Sequence, residues 1–122
     1  MGMVSEQWAF IRDVSLLIVE AEKLGIVLTG GELFRTKEQQ DIYLKTGKTK
    51  TNNSMHLKRL AVDFNFFIDG ELVYNHPLIT KVGKFWESLN EINRWGGSWR
   101  GLVESGQSSF VDSPHFERKV NV

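Results

Sequence analysis

Three histidines and no cysteine appear in this chain of 122 residues, so any transition-metal site must be built from imidazole and carboxylate. Two stretches hold the right residue types. Ser54-Met55-His56-Leu57-Lys58-Arg59-Leu60-Ala61-Val62-Asp63 sets a histidine seven positions ahead of an aspartate. Asp112-Ser113-Pro114-His115-Phe116-Glu117 supplies a second histidine with an acid on each side. His56, Asp63 and His115 together make two neutral imidazoles and one carboxylate, a set that leaves a divalent ion net positive and open at one position for water. Such an ion can lower the pKa of that water from about 15.7 to roughly 7, which is the inventory of a zinc hydrolase. Asp112 is the acid to spare. Pro114 forbids a regular helical turn between it and His115, and a carboxylate beside the ion can take the water's proton and pass it to a leaving amine. Arg35 adds a cation for the oxyanion of a tetrahedral intermediate, where one lost donor costs on the order of a hundredfold in rate. Ser54 reads as a hydrogen-bonding partner of a ligand, since no oxyanion-hole glycine motif accompanies it as a nucleophile. Glu117 shares strand parity with His115 and reads either as that ligand's partner or as a surface acid, while His76, in a turn before Pro77, stays outside the set.

The elements that must position these residues can be read from pattern. Phe64-Asn65-Phe66-Phe67-Ile68 is aromatic and β-branched, closes on Asp69-Gly70 and resumes at Leu72-Val73-Tyr74, so it predicts a hairpin. Positions 56 and 63 would face opposite ways on one continuous strand, so the chain must turn or bulge near Lys58-Arg59 if the two are to converge. Upstream, Ser5 predicts the cap of a helix reaching about Leu24, with Gly25 as its stop. Trp8, Ile11, Val14 or Ser15, Ile18 and Ala21 form its expected inward stripe, and Glu6, Arg12, Asp13, Glu20 and Lys23 its wet face. Ile26-Val27-Leu28-Thr29 reads as a short buried strand ended by Gly30-Gly31. Thr36-Lys37-Glu38-Gln39 matches a capping box for a second helix ending near Gly47.

Residues 45–53 form an apolar-free polar stretch, expected to be a mobile loop that could gate a site beside His56. Gly47-Lys48-Thr49 within it fails as a phosphate-binding loop, because Ile42 stands where the leading glycine is required. A third helix is expected from Leu78 to about Asn93, with Leu78, Val82, Phe85 or Trp86, Leu89 and Ile92 inward. Trp95-Gly96-Gly97-Ser98-Trp99 allows a tight bend between two large rings, which serve either as core or as the lining of a groove. After a Gly- and Ser-rich loop over 100–109, Phe110-Val111 and His115-Phe116-Glu117 read as strand pieces around Pro114. The expected architecture is α+β, a small antiparallel sheet flanked by about three helices, in a single domain over 1–122.

Composition narrows the partners. A formal charge of zero carries no nucleic-acid footprint and no polybasic membrane patch. Hydrophobic residues at 41% and charged residues at 25% are ordinary for a globular chain. Leu16-Leu17-Ile18-Val19 is far too short to span a bilayer, and no basic region leads into an apolar stretch with a small-residue cleavage site, so no signal peptide is expected.

The motifs in this order carry a resemblance. Ser54-Met55-His56, Ala61-Val62-Asp63 and Asp112-Ser113-Pro114-His115-Phe116-Glu117, with Arg35-Thr36, Glu38-Gln39 and Trp95-Gly96-Gly97, resemble the D-alanyl-D-alanine carboxypeptidase and L-alanyl-D-glutamate peptidase family from about Thr29 to Glu117. These are zinc peptidases of bacterial cell-wall peptides and include single-domain phage endolysins. The resemblance implies zinc on His56, Asp63 and His115, with Asp112 as acid/base and Arg35 near the substrate carbonyl, on a small fold of the hedgehog type. It implies a peptidoglycan stem peptide as substrate, most simply cut at L-Ala–D-Glu. The alternatives are carboxypeptidase or dipeptidase action on D-Ala–D-Ala, or a non-catalytic wall-binding or morphogenetic module. The expected life history is that of a monomer made in a host cytoplasm, reaching the wall after the membrane is permeabilised. One departure stands out: the family's usual glycine between histidine and alanine is Arg59 here. Arginine would be strained at a positive φ, so the expectation is a differently shaped turn. The alternative is that Arg59 reaches into the groove to meet a substrate carboxylate.

Overall fold

The first helix is longer than its expected cap implies and buries a different face. In the computed structural model, which describes residues 2–47, 54–98 and 112–120, α1 runs Gly2–Lys23, so Ser5 lies inside it. Its buried residues are Phe10, Asp13, Leu17 and Ala21. Trp8, expected inward, is 62% exposed, and Ile11 and Ile18 also face outward. The helix carries two apolar stripes, and periodicity alone cannot say which one meets the core. The stripe that wins carries Phe10, whose ring meets Trp86 edge-on at 5.6 Å. It also carries Asp13, expected in water, whose carboxylate accepts a hydrogen bond from the Asn93 side chain at 3.1 Å. Gly25, at φ 79°, ends the helical region as expected.

Among the described residues, five strands form one antiparallel sheet: β1 (Val27–Gly30), β2 (Ala61–Ile68), β3 (Glu71–Val73), β4 (Asn93–Trp95) and β5 (His115–Arg118). The order is β1-β2-β5-β4, with β3 paired to β2 beyond the end of β5. β1 is an exposed edge rather than the buried strand expected, with Val27 62% exposed and only Ile26 before it in the core. The β2–β3 hairpin turns at Asp69-Gly70, both at positive φ, as the dipeptide predicts.

Thr36 caps α2 (Lys37–Thr46) by accepting from the Gln39 amide, and Gly47 closes it in the left-handed region. α3 (Pro77–Leu89) is capped by the His76 side chain, which accepts from the Leu78 amide, with Pro77 in the first turn. This helix ends four residues early: Asn90 is extended, and Asn93 belongs to β4 instead. Leu78, Val82, Trp86 and Leu89 do face the core.

Alternation divides the sheet. Val62, Phe64, Phe66 and Phe116 point at α1 and α3, where Phe116 meets Phe64, Phe66 and Trp86 at centroid distances of 6.0–6.1 Å. The Trp86 indole donates to the carbonyls of Arg94 and Glu117, tying α3 to β4 and β5. Asp63, His115 and Glu117 lie on the other face. Residues 48–53, Trp99, residues 100–109 and Phe110-Val111, with the loop and strand expected there, fall outside the described residues. Among the described residues, no helix is long and apolar enough to cross a membrane.

Candidate metal centre

Cross-strand register makes the site. Asp63 on β2 sits directly opposite His115 on β5, so their side chains share one face of the sheet. His115 Nδ1 lies 3.1 Å from Asp63 Oδ1. Asp63 is fixed from the other side too: its amide donates to the Glu32 carbonyl and its carbonyl accepts from the Gly31 amide, both at 2.8 Å. A Cβ on Gly31 would stand 2.8 Å from that Asp63 carbonyl oxygen, so only glycine permits the approach.

His56 arrives from a short 3₁₀ turn, Met55–Lys58, whose cap is Ser54 accepting from the His56 amide. The turn required near Lys58-Arg59 is present. Arg59 closes it at φ 57°, ψ 36°, in the left-handed region. The expectation of a differently shaped turn is therefore wrong: arginine occupies the glycine-favouring conformation itself. His56 Nε2 ends 3.4 Å from Asp63 Oδ1, and the two imidazoles stand with centroids 5.1 Å apart.

Donor atoms of His56, Asp63 and His115 all lie within 4.8 Å of one another. Tetrahedral bonds of the length zinc makes to nitrogen and oxygen place neighbouring donors about 3.3 Å apart, close to the separations from Asp63 to each imidazole. The tautomers agree. His56 Nδ1 donates to the Leu33 carbonyl at 2.9 Å, which leaves Nε2 as a lone pair. That Nε2 is buried and has no hydrogen-bond partner among the described residues. A buried nitrogen left unpaired beside a carboxylate and a second imidazole fits a divalent cation. His115 Nε2 faces Glu117 Oε1 at 2.7 Å, so its Nδ1 is the nitrogen turned toward Asp63.

Electrostatics follow the same contacts. Burial opposes charge on both Asp63 and His115, and the hydrogen bonds between them overcome it. Asp63 is held well below the usual carboxylate range by His115 and His56. Burial works against a proton on His115, yet its bonds to Asp63 and Glu117 push its pKa up to about 9 in the metal-free protein. Asp112 shifts the opposite way. Burial raises its carboxyl above the usual range, Asp63 adds to the rise, and His115, His56 and Arg35 oppose it. The structure thus brings Asp112 into the field of all three donors and of Arg35.

Asp112 is placed by glycine and tryptophan. Its amide donates to the Gly96 carbonyl at 3.1 Å, and its own carbonyl accepts from the His115 amide. A Cβ on Gly96 would fall 1.9 Å from the Asp112 oxygen. Trp95 lies against Gly83 and Gly97, and its indole donates to the Ser113 carbonyl at 2.8 Å. Trp95 is therefore core, clamping the turn that carries Asp112, and does not line a groove.

Arg35 is more committed than its expected role implies. Its Nε donates to Glu32, its Nη1 donates to Gln40 at 2.7 Å, and its guanidinium stacks on Tyr43 at 4.8 Å. Glu32 went unrecognised in the sequence, although it also accepts from the Tyr43 hydroxyl and lies 3.9 Å from His56 Nδ1. A lone glutamate after two glycines offers no spacing by which to find it. His76 caps α3, away from the set.

Comparison with known proteins gives the fold and the family. An L-alanyl-D-glutamate peptidase of a Listeria phage is 32% identical over 98 residues, which cover 80% of this chain and 32% of that protein. The chain thus spans about a third of the length of that curated relative. The crystal structure of the Serratia marcescens L-Ala D-Glu endopeptidase superposes with a TM-score of 0.64 at 21% identity, over 88% of this chain and 79% of that one. The shared α+β fold is what that likeness establishes. A family model described as D-alanyl-D-alanine carboxypeptidase matches residues 47–118, more than half of the sequence and inclusive of His56, Asp63, Asp112 and His115. This chain belongs to the D-alanyl-D-alanine carboxypeptidase family.

Proposed function

We propose that residues 1–122 act as a zinc-dependent peptidase domain on peptidoglycan stem peptides, cutting the L-Ala–D-Glu bond. The observation that carries this reading is the buried, unpaired Nε2 of His56 facing Asp63 and His115. His56 Nε2, Asp63 Oδ1 and His115 Nδ1 would hold the ion. When bound, zinc supplies Lewis acidity on this face of the sheet and makes hydroxide accessible near neutral pH. Glu117 keeps His115 in the tautomer that presents Nδ1, and the Leu33 carbonyl does the same for His56 Nε2. Asp112, raised by burial, accepts a proton from the attacking water and delivers it to the departing amine nitrogen. Arg35 steadies negative charge developing on the carbonyl oxygen, using Nη2, the donor that neither Glu32 nor Gln40 takes.

The relatives' names favour endopeptidase action at L-Ala–D-Glu, while the family description keeps D-Ala–D-Ala carboxypeptidase action as the second reading. A wall-binding module without catalysis would need neither Asp112 nor Arg35 near the metal donors. Purified sacculi and defined stem peptides, incubated with zinc-loaded protein and analysed by mass, test the proposal. Release of a new D-Glu amino terminus that stops with chelator and returns with zinc supports it. Intact peptides in the presence of one bound zinc per chain would refute it.

A further inference from the structure

Arg59 occupies a backbone conformation that side chains seldom adopt, at φ 57° and ψ 36°. It is one of two non-glycine residues at positive φ among those described, and the other, Asp69, belongs to a hairpin turn that favours it. Strain retained where glycine would relieve it calls for a return elsewhere.

The surroundings indicate that return. The Arg59 amide donates to the His56 carbonyl, which also accepts from the Arg35 amide. Its guanidinium lies over the Phe34 ring at 4.2 Å, and Phe34 is exposed. Phe34 itself sits between Leu33, whose carbonyl orients His56, and Arg35. A cation is therefore parked on the solvent side of the loop that holds a metal donor.

The two arginines differ in what remains free. Arg35 commits its Nε to Glu32 and its Nη1 to Gln40. Arg59 has its guanidinium carbon over the Phe34 ring and meets no carboxylate among the described residues. A guanidinium over an aromatic ring keeps N–H groups available, and such a fork can grip a carboxylate with two parallel bonds.

We propose that Arg59, held by its strained turn against Phe34, is a specificity-determining residue that binds a free carboxylate of the peptide substrate beside the metal centre. This rests on the peptidase reading above. Two carboxylates share that chemistry: the α-carboxylate that a γ-linked glutamate keeps free, and the terminal carboxylate of the peptide.

Four matched stem peptides separate these sources: glutamate or isoglutamine at the γ-linked position, each with an acid or an amide terminus. Their binding is measured by calorimetry in the zinc-loaded Asp112→Asn background, with Arg59 intact or replaced by Arg59→Gly, Arg59→Gln or Arg59→Lys. Cleavage by the otherwise unaltered protein is followed in parallel. With Arg59 intact, one of the two carboxylates should improve binding about tenfold or more over its amide. Arg59→Gly and Arg59→Gln should abolish that preference and leave amide binding unchanged, and Arg59→Lys should restore part of it. Arg59→Gly should melt no lower than the unaltered protein, because glycine accepts this backbone without strain. An acid-over-amide preference that survives Arg59→Gly, or that is absent throughout, overturns the assignment. An Arg59-dependent preference without any cleavage contradicts the peptidase reading and leaves the carboxylate site standing.

Discussion

The two ends of β2 are one strand under two regimes. Its first half, Ala61–Phe64, is hemmed by β5 on one edge and by Gly31-Glu32 on the other. Every residue of β5 opposite it is buried. Its second half, Asn65–Ile68, pairs with β1 and β3, whose residues are mostly exposed. The hydrophobic alternation is continuous across both halves, so pattern alone does not tell them apart. The difference lies in the neighbours. A buried strand lies beside the half that carries Asp63, and mostly exposed strands flank the half that carries no candidate site residue. Preorganisation of this kind is what keeps charged and unpaired groups in place on a buried face.

Changes to the strand beside the first half should therefore be costly, and changes to the exposed strand beside the second cheap. Phe116→Ala opposite Val62 removes a ring that touches Phe64, Phe66 and Trp86. It should cost about 3–5 kcal/mol in denaturant unfolding. Leu72→Ala on the exposed hairpin should stay within about 0.5 kcal/mol. Equal costs would dissolve the contrast.

Asp112→Asn sharpens it chemically. Hydrolysis should fall by about a hundredfold or more, with zinc still bound at one per chain. Because burial raises the Asp112 carboxyl, its ionisation above the usual carboxylate pKa of 3.8 opposes folding, and the neutral amide removes that opposition. The metal-free variant should therefore melt no lower than its parent at neutral pH.

A pair of glycines tests the backbone clamp directly. Gly31→Ala forces a shift of the Asp63 carbonyl and should cost about 1–3 kcal/mol and weaken zinc binding. Gly30→Ala, with nothing within 4 Å of the new carbon, should change both little. Glu117→Gln should weaken zinc affinity by about 10–100-fold, seen by competition with a chromophoric chelator.

The smallest effect is a pH trend. His115 rises from 6.5 to about 9 on folding without metal, so its protonation stabilises the metal-free protein fully below pH 6.5 and fades as pH climbs through 9. Melting temperature of the metal-free protein should drop across that window. The zinc-loaded protein should not follow it, since the ion takes the proton's place.

Much of this was legible before the structure. Thr36 announced α2, Asp69-Gly70 announced the hairpin, and the residue types of His56, Asp63 and His115 announced a set that could hold a metal, because each rests on local chemistry. What stayed hidden depended on distant partners. The phase of α1 is decided by Trp86 and Asn93, far along the chain. β4 was absorbed into α3 because Ile92 continues a helical spacing that Asn90 interrupts only by its backbone. Glu32 acquires its place from Arg35, Tyr43 and His56 together, which no spacing encodes. Arg59 misled in a different way: sterics argued against a left-handed arginine, and the fold holds one there.

Anomalous diffraction at the zinc edge, from crystals grown with the metal, tests the central claim most directly. The account predicts a single strong peak bonded at about 2.0–2.2 Å to His56 Nε2, Asp63 Oδ1 and His115 Nδ1. A zinc peak elsewhere on the chain, with those three side chains left as mutual hydrogen-bond partners, would contradict it.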